Sequence, residues 1–326
     1  MENLKSGKGD IFTEIDPDKM REIFRNKNKK QVNKLTDLKT AIKNLVHDGD
    51  YLALGGFGGV RIPTAAIHEI LRQRKKNLGI SGHVSSHDCQ ILSSGDCFNR
   101  CDASYIVGLE IRGLSKASRR KFESGNVKVT EWSNGALAWR FKAAAMGLPF
   151  LPTRSMFCTD TFKQSAAKEI ICPFTGKKLM AVPALYPDIG ILHVHRADIY
   201  GNCQIDDNLV ADDDIAKASK RLIITTEKLI TNDEIRRQPD RTTIPYWYVD
   251  AVIEIPFGSY PGNMPGVYYS DEEHIHEWLT VEKDIDEFEK FLAKNIYSCK
   301  DFAEYIDKNG GVGKIQKLLS LENSPE

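Results

Sequence analysis

Asp48-Gly49-Asp50-Tyr51-Leu52-Ala53-Leu54-Gly55-Gly56-Phe57-Gly58-Gly59-Val60-Arg61-Ile62-Pro63 runs from a short apolar block into a glycine cluster and then a proline. Residues 51–54 read as a strand. Pro63 opens a helix, since its fixed φ suits the first turn and its missing N–H is not needed there. Ala66, Ile67, Ile70 and Leu71 then recur on one face. Upstream, Thr36 is the expected cap of a helix in which Leu38, Ala41, Ile42 and Leu45 share a face, closed by Gly49. Helix, strand, glycine turn, helix is the beginning of an α/β alternation.

The alternation continues outward. Residues 77–84, 103–107, 127–130, 179–182, 189–194, 222–225 and 251–255 read as strands. Residues 114–123, 135–146, a short stretch at 213–217, and 283–292, 299–306 and 313–319 read as helices. The expected fold is therefore α/β: an open, mostly parallel sheet with helices on both faces. Residues 37–320 form one domain in this reading. Residues 1–36 are a charged N-terminal extension, with a short helix at 17–24 capped by Asp16 but otherwise a solvated arm. Residues 321–326 are a tail.

Lysine plus arginine and aspartate plus glutamate both number 45, a formal net charge of zero. The basic surface that nucleic acid requires is missing. The runs at 72–76 and 119–121 fall towards helix ends, where cations offset the helix dipole. No apolar run is long enough to span a bilayer, and the charged start lacks a signal-peptide core, so no membrane and a cytoplasmic location are expected. Seven cysteines, an odd number, form no CxxC pair and no disulfide framework. Cys89, Cys97 and Cys101 with His83 and His87, and His193 with His195, are incomplete ligand sets, so no metal is assigned.

The glycine cluster has two readings. In one it is a tight connection needing positive backbone angles. In the other, the backbone of Gly55, Gly56, Phe57, Gly58, Gly59 and Val60 faces a ligand at the carboxyl end of a strand. It is not a dinucleotide fingerprint, because a GxGxxG frame starting at Gly56 ends on Arg61. It is not a Walker loop, because no Gly-Lys-Ser/Thr follows. A thioester carbonyl, which gains negative charge under attack, is a suitable recipient of such donors. Ser85, with His83, Ser86 and His87, follows another strand and is placed to line the same pocket.

The stretch from Asp48 to Pro63 resembles the first signature of family I coenzyme A-transferases. Arg61 stands where that signature usually has glycine, and the arginine is similar to the A-type chains of the glutaconate branch. Ala143 to Pro152, Asn232 to Pro239, Val249 to Val252 and Pro256 to Pro261 resemble further segments of those chains, in the right order. The family more often has Gly-Ala-His-Pro where this chain has Gly258-Ser259-Tyr260-Pro261. The resemblance implies one subunit of a heteromer whose site lies between A-type and B-type halves. It implies an acyl-CoA and a carboxylic acid as substrates, with coenzyme A passing as a thioester and no permanently bound cofactor. It implies a glutamyl-CoA thioester formed on the B-type partner. Arg61 is then the candidate for pairing with the distal carboxylate of a dicarboxylic acid.

One segment pulls elsewhere. Gly108-Leu109-Glu110-Ile111-Arg112-Gly113-Leu114-Ser115 is similar to the A-type chain of ring-opening acyl-CoA hydrolases of steroid degradation. That likeness would make Glu110 a catalytic general base, and the bland alternative is a surface glutamate paired with Arg112. A metabolite-sensing domain on a similar α/β fold is a third reading. Its DNA-binding head is not found in the first 36 residues.

Overall fold

Side chains alternate across the central sheet. Tyr51 and Ala53 enter one apolar core while Leu52 enters the other, and Leu222 and Ile224 oppose Ile223 in the same way. Apolar residues on both faces require cover on both faces, and helices supply it. The computed structural model describes residues 4–106 and 112–324. Its strands are β1 (Tyr51–Leu54), β2 (Leu78–Gly82), β3 (Phe98–Ala103), β4 (Lys128–Glu131), β5 (Phe150–Thr153), β6 (Lys168–Ile171), β7 (Lys178–Pro183), β8 (Ile189–Ala197), β9 (Cys203–Gln204), β10 (Arg221–Leu229) and β11 (Ala251–Glu254). Its helices are α1 (Pro17–Asn26), α2 (Leu38–Leu45), α3 (Thr64–Arg72), α4 (His87–Ser94), α5 (Lys116–Glu123), α6 (Asn134–Ala145), α7 (Asp160–Gln164), α8 (Asp212–Ala218), α9 (Asn232–Arg237), α10 (Glu272–Val281), α11 (Ile285–Leu292), α12 (Phe302–Lys308) and α13 (Gly311–Glu322).

The main sheet runs β11-β10-β8-β1-β2-β3-β4, every neighbouring pair parallel, with β9 antiparallel at the end of β8. From β1 the chain crosses through α3 to β2 on one side. β8 lies on the other side and leads away to β10. The order reverses between β1 and β8, and such a reversal leaves a crevice at the carboxyl ends of the strands. The glycine turn follows β1 at that point.

Several expectations need correction. The strand expected at 103–107 is β3, ending at Ala103; polar Asn99, Arg100 and Asp102 disguise it. Asp102 is buried because Arg140 Nη1, the Tyr51 hydroxyl and Trp132 Nε1 reach it at 2.5, 2.6 and 2.6 Å. Residues 179–182 belong to β7, the centre of a separate antiparallel sheet ordered β5-β7-β6. Asp37, not Thr36, caps α2, accepting from the Thr40 N–H at 2.8 Å. The described part of the arm at 1–36 is largely exposed but anchored at several points. Ser6 bridges to Lys168, Met20 is buried, and Lys27 Nζ lies 2.7 Å from Asp250. Within it α1 runs to Asn26 behind its Asp16 cap.

A C-terminal layer of α10 to α13 covers one face of the sheet. Trp278 and Phe288 from this layer enter the same core as Leu52 and Ile80. Glu282, fully buried, accepts from Gln90 Nε2 at 3.0 Å, Ser115 Oγ at 3.0 Å and the Lys116 N–H at 2.6 Å. A carboxylate set against the first turn of α5 suits the positive end of that helix. Among the described residues no helix is long and apolar enough to cross a membrane.

Candidate active site

The turn after β1 is tied down through its own amides. The Gly55 N–H donates to the Ile191 carbonyl at 2.9 Å, and Phe57 and Val60 exchange N–H to carbonyl bonds at 3.0 Å. The Gly58 N–H reaches the Val84 carbonyl at 2.8 Å and the Arg61 N–H the Asn263 carbonyl at 2.9 Å. The Gly56 N–H donates to Asp212 Oδ1 at 2.9 Å. Gly59 is the exception: its carbonyl accepts from the Asn263 N–H at 3.0 Å, but its N–H has no acceptor among the described residues. The donor wall expected from the sequence therefore narrows to one buried amide.

The glycines differ in what their positions require. Gly56 has φ +84°, and a Cβ there would stand 2.3 Å from the Val60 carbonyl oxygen. Gly58 has φ +66° but open space around it, its nearest neighbour being Val84 Cγ1 at 4.0 Å. Arg61, Val84 and Phe257 also hold positive φ, at 53°, 54° and 61°. Left-handed backbone at residues with a Cβ stores strain of about 1–3 kcal/mol each, and such residues gather at working sites.

Arg61 is placed otherwise than the sequence suggested. Its side chain is 1% exposed. Nη1 lies 2.7 Å from Asp212 Oδ2, Nε lies 3.4 Å from Asp207, and Nη2 donates to the Asn208 carbonyl at 2.5 Å. Burial pushes the Asp212 carboxyl above the usual range, and Arg61 opposes that shift. The pair clamps the turn onto α8, because Asp212 holds Arg61 with one oxygen and the Gly56 N–H with the other.

Ser85 lies beside the turn, bridging both Gly58 and Ile106, and is buried. Its N–H donates to the Tyr105 carbonyl at 2.9 Å. The Ser86 hydroxyl donates to the Gly58 carbonyl. Phe57 is exposed and meets the His83 ring edge-on at 5.9 Å. Arg112, to which the sequence assigns no role beyond pairing with Glu110, forms a two-pronged pair with Glu272. Nε lies 2.7 Å from Oε2, and Nη2 contacts Oε1. Its Nη1 lies 3.1 Å from the point where a Cβ on Gly59 would stand. Nothing in the spacing of 112 and 272 could have shown this.

On the other flank, Glu227 accepts from the Phe257 N–H at 2.7 Å and the Tyr268 hydroxyl at 2.8 Å, and lies 2.6 Å from His193 Nε2. His193 thereby braces the loop after β11. His195 Nε2 lies 2.9 Å from the Pro265 carbonyl. Among the described residues no group of three or more His, Cys, Asp or Glu is placed to hold a metal. Glu110 lies outside the described residues.

A sequence profile described as Coenzyme A transferase matches residues 35–255. The chain belongs to the coenzyme A transferase family. The A-type chain of glutaconate CoA-transferase from Acidaminococcus fermentans is 32% identical over 90% of this chain and 96% of its own. The crystal structure of that glutaconate coenzyme A-transferase superposes with a TM-score of 0.84, covering 87% of this chain and 95% of that one. The A-type chain of 3-oxoadipate CoA-transferase from Pseudomonas knackmussii is 33% identical over 84% of this chain and 97% of its own. An uncharacterized protein of Archaeoglobus fulgidus is 48% identical over this whole chain and 73% of its own length. The sequence resemblance to the coenzyme A-transferases thus stands as membership. At the departure noted above, Tyr260 is a core residue: it is buried and its hydroxyl donates to Asp271 at 2.7 Å.

Proposed function

We propose that this member of the coenzyme A transferase family is the A-type half of a heteromer that moves CoA between an acyl-CoA and a carboxylic acid. The observation that carries the reading is the glycine turn at the reversal of the sheet, where one buried amide has no acceptor among the described residues and the described acids beside it are engaged. Asp212 is held by Arg61, Glu227 by His193 and Tyr268, and Glu272 by Arg112. A wall that offers donors and, among the described residues, holds its carboxylates in pairs fits a nucleophile supplied from across an interface.

The B-type partner would supply a glutamate. Its carboxylate attacks the thioester carbonyl, the C–S bond breaks, and CoA leaves as thiolate. The thiolate then attacks the glutamyl carbonyl of the mixed anhydride, which releases the first acid and leaves a glutamyl-CoA thioester. The second acid reverses both steps, with no net change in protons or electrons. The turn, with Gly55 to Arg61 and Ser85, shapes the thioester side. No resident cofactor is required. All seven cysteines are unpaired, which supports a reducing, cytoplasmic setting. The ring-opening reading leaned on Glu110 alone and is not carried forward.

The test is to co-purify the chain with its B-type partner, add acyl-CoA, and trap with borohydride. A reduced glutamyl residue on the partner is expected. Release of CoA with water uptake and no trapped adduct would sink the reading.

A further inference from the structure

Arg61 cannot be the cation that meets a substrate carboxylate, since its guanidinium is buried and engaged by Asp212, Asp207 and Asn208. We propose instead that Arg112 and the Gly59 N–H together bind the free carboxylate of a dicarboxylic acid and so set the substrate class. This rests on the transferase reading and sharpens it.

Three features carry the assignment. Glu272 holds Arg112 by Nε and Nη2, which fixes the plane of the guanidinium and leaves Nη1 outside the fork. Nη1 lies 3.1 Å from the Cβ position of Gly59, whose amide is the unengaged donor of the turn. The charges of the pair are unequally shielded: the Glu272 side chain is 46% exposed and that of Arg112 is 17% exposed. Glu272 is the more hydrated partner, and Nη1 is the part of the guanidinium nearest the turn. Glycine at 59 eases the approach, because a Cβ there would crowd Nη1 at 3.1 Å. A full carboxylate suits a cation and an amide side by side better than a neutral carbonyl does.

Glu272 also lies outside residues 35–255, so the fork joins the part of the chain that matches the family profile to a part beyond it.

The experiment uses the complex with the B-type partner, acetyl-CoA as donor, and two acceptors of equal length, glutarate and valerate. The wild type should prefer glutarate by kcat/KM. Arg112→Gln should lower that preference about tenfold or more, the scale of a lost charged hydrogen bond, mainly through the KM for glutarate. Arg112→Lys should fall between. Gly59→Ala, which places a methyl group against Nη1, should lower the preference without removing a charge. Melting temperature and co-purification report folding. If Arg112→Gln fails to assemble, Arg112→Lys and Gly59→Ala decide. An unchanged glutarate-to-valerate ratio in the assembled variants, or equal use of both acids by the wild type, overturns the proposal while leaving the transferase reading intact. No transfer to either acid by the wild type removes both.

Discussion

Arg61 is the residue whose meaning changed most between sequence and structure. Its position in the turn was legible; its partner, Asp212, lies 151 residues away and no spacing rule links the two. Arg61→Met leaves Asp212 buried without a countercharge, a loss of about 3–5 kcal/mol. The expected outcome is a marked fall in melting temperature together with lost activity. An isolated rise in KM for the acid, with unchanged stability, would return Arg61 to the role first expected of it. The glycines separate just as sharply. Gly56→Ala sets a Cβ against the Val60 carbonyl as well as forcing left-handed backbone, so it should abolish transfer. Gly58→Ala meets only the backbone penalty of about 1 kcal/mol and should retain most of the activity. Equal loss from both would show that space is not what the turn requires. The glycine pattern itself was readable because φ and Cβ clearance are local properties. Which amide stays unengaged was not, since the acceptors for Gly55, Gly56, Gly58 and Arg61 are residues far along the chain.

Elements show the same division between local and distant causes. β1, α3 and α6 follow from apolar periodicity and from glycine and proline punctuation. α4 and α10 were not anticipated, because buried His87, Asp88 and Gln90 in the one and His274 in the other break any apolar stripe. Some of their polar groups find partners far along the chain, Gln90 at Glu282 and His274 at Tyr305. Glu282 is the clearest case, since it follows α10 and receives donors from α4 and from the start of α5. Glu282→Ala would leave those donors buried and unpaired, which costs about 1–3 kcal/mol each. The expected result is faster amide exchange across α5, out of proportion to the global fall in stability. Uniform exchange over the chain would show that Glu282 only adds to general packing.

At the scale of the whole molecule, the C-terminal layer seals a cluster of histidines. Burial holds His68 well below its usual value and His87 down to about 4, with the Arg72 guanidinium adding to the effect at His68 and that of Arg112 at His87. The Gln90 side chain, 2.7 Å from His87 Nδ1, pulls the other way. The unfolded chain binds protons near pH 6.5 and the folded chain only near pH 4 at His87, so stability is full above about pH 6.5 and falls as the pH drops towards 4. His87 alone accounts for a loss on the order of 3 kcal/mol across that window. Urea midpoints at about pH 7.5 and about pH 5 should show the fall, and His87→Gln should flatten it. A flat wild-type profile would mean that acid reaches those rings without unfolding.

The Arg112–Glu272 fork joins two stretches that need not change together. One lies within the part of the chain that matches the family profile, the other beyond it. If Arg112 selects the acid, substitution at position 272 alone would shift the angle at which that guanidinium is held, while every residue of the glycine turn stays as it is.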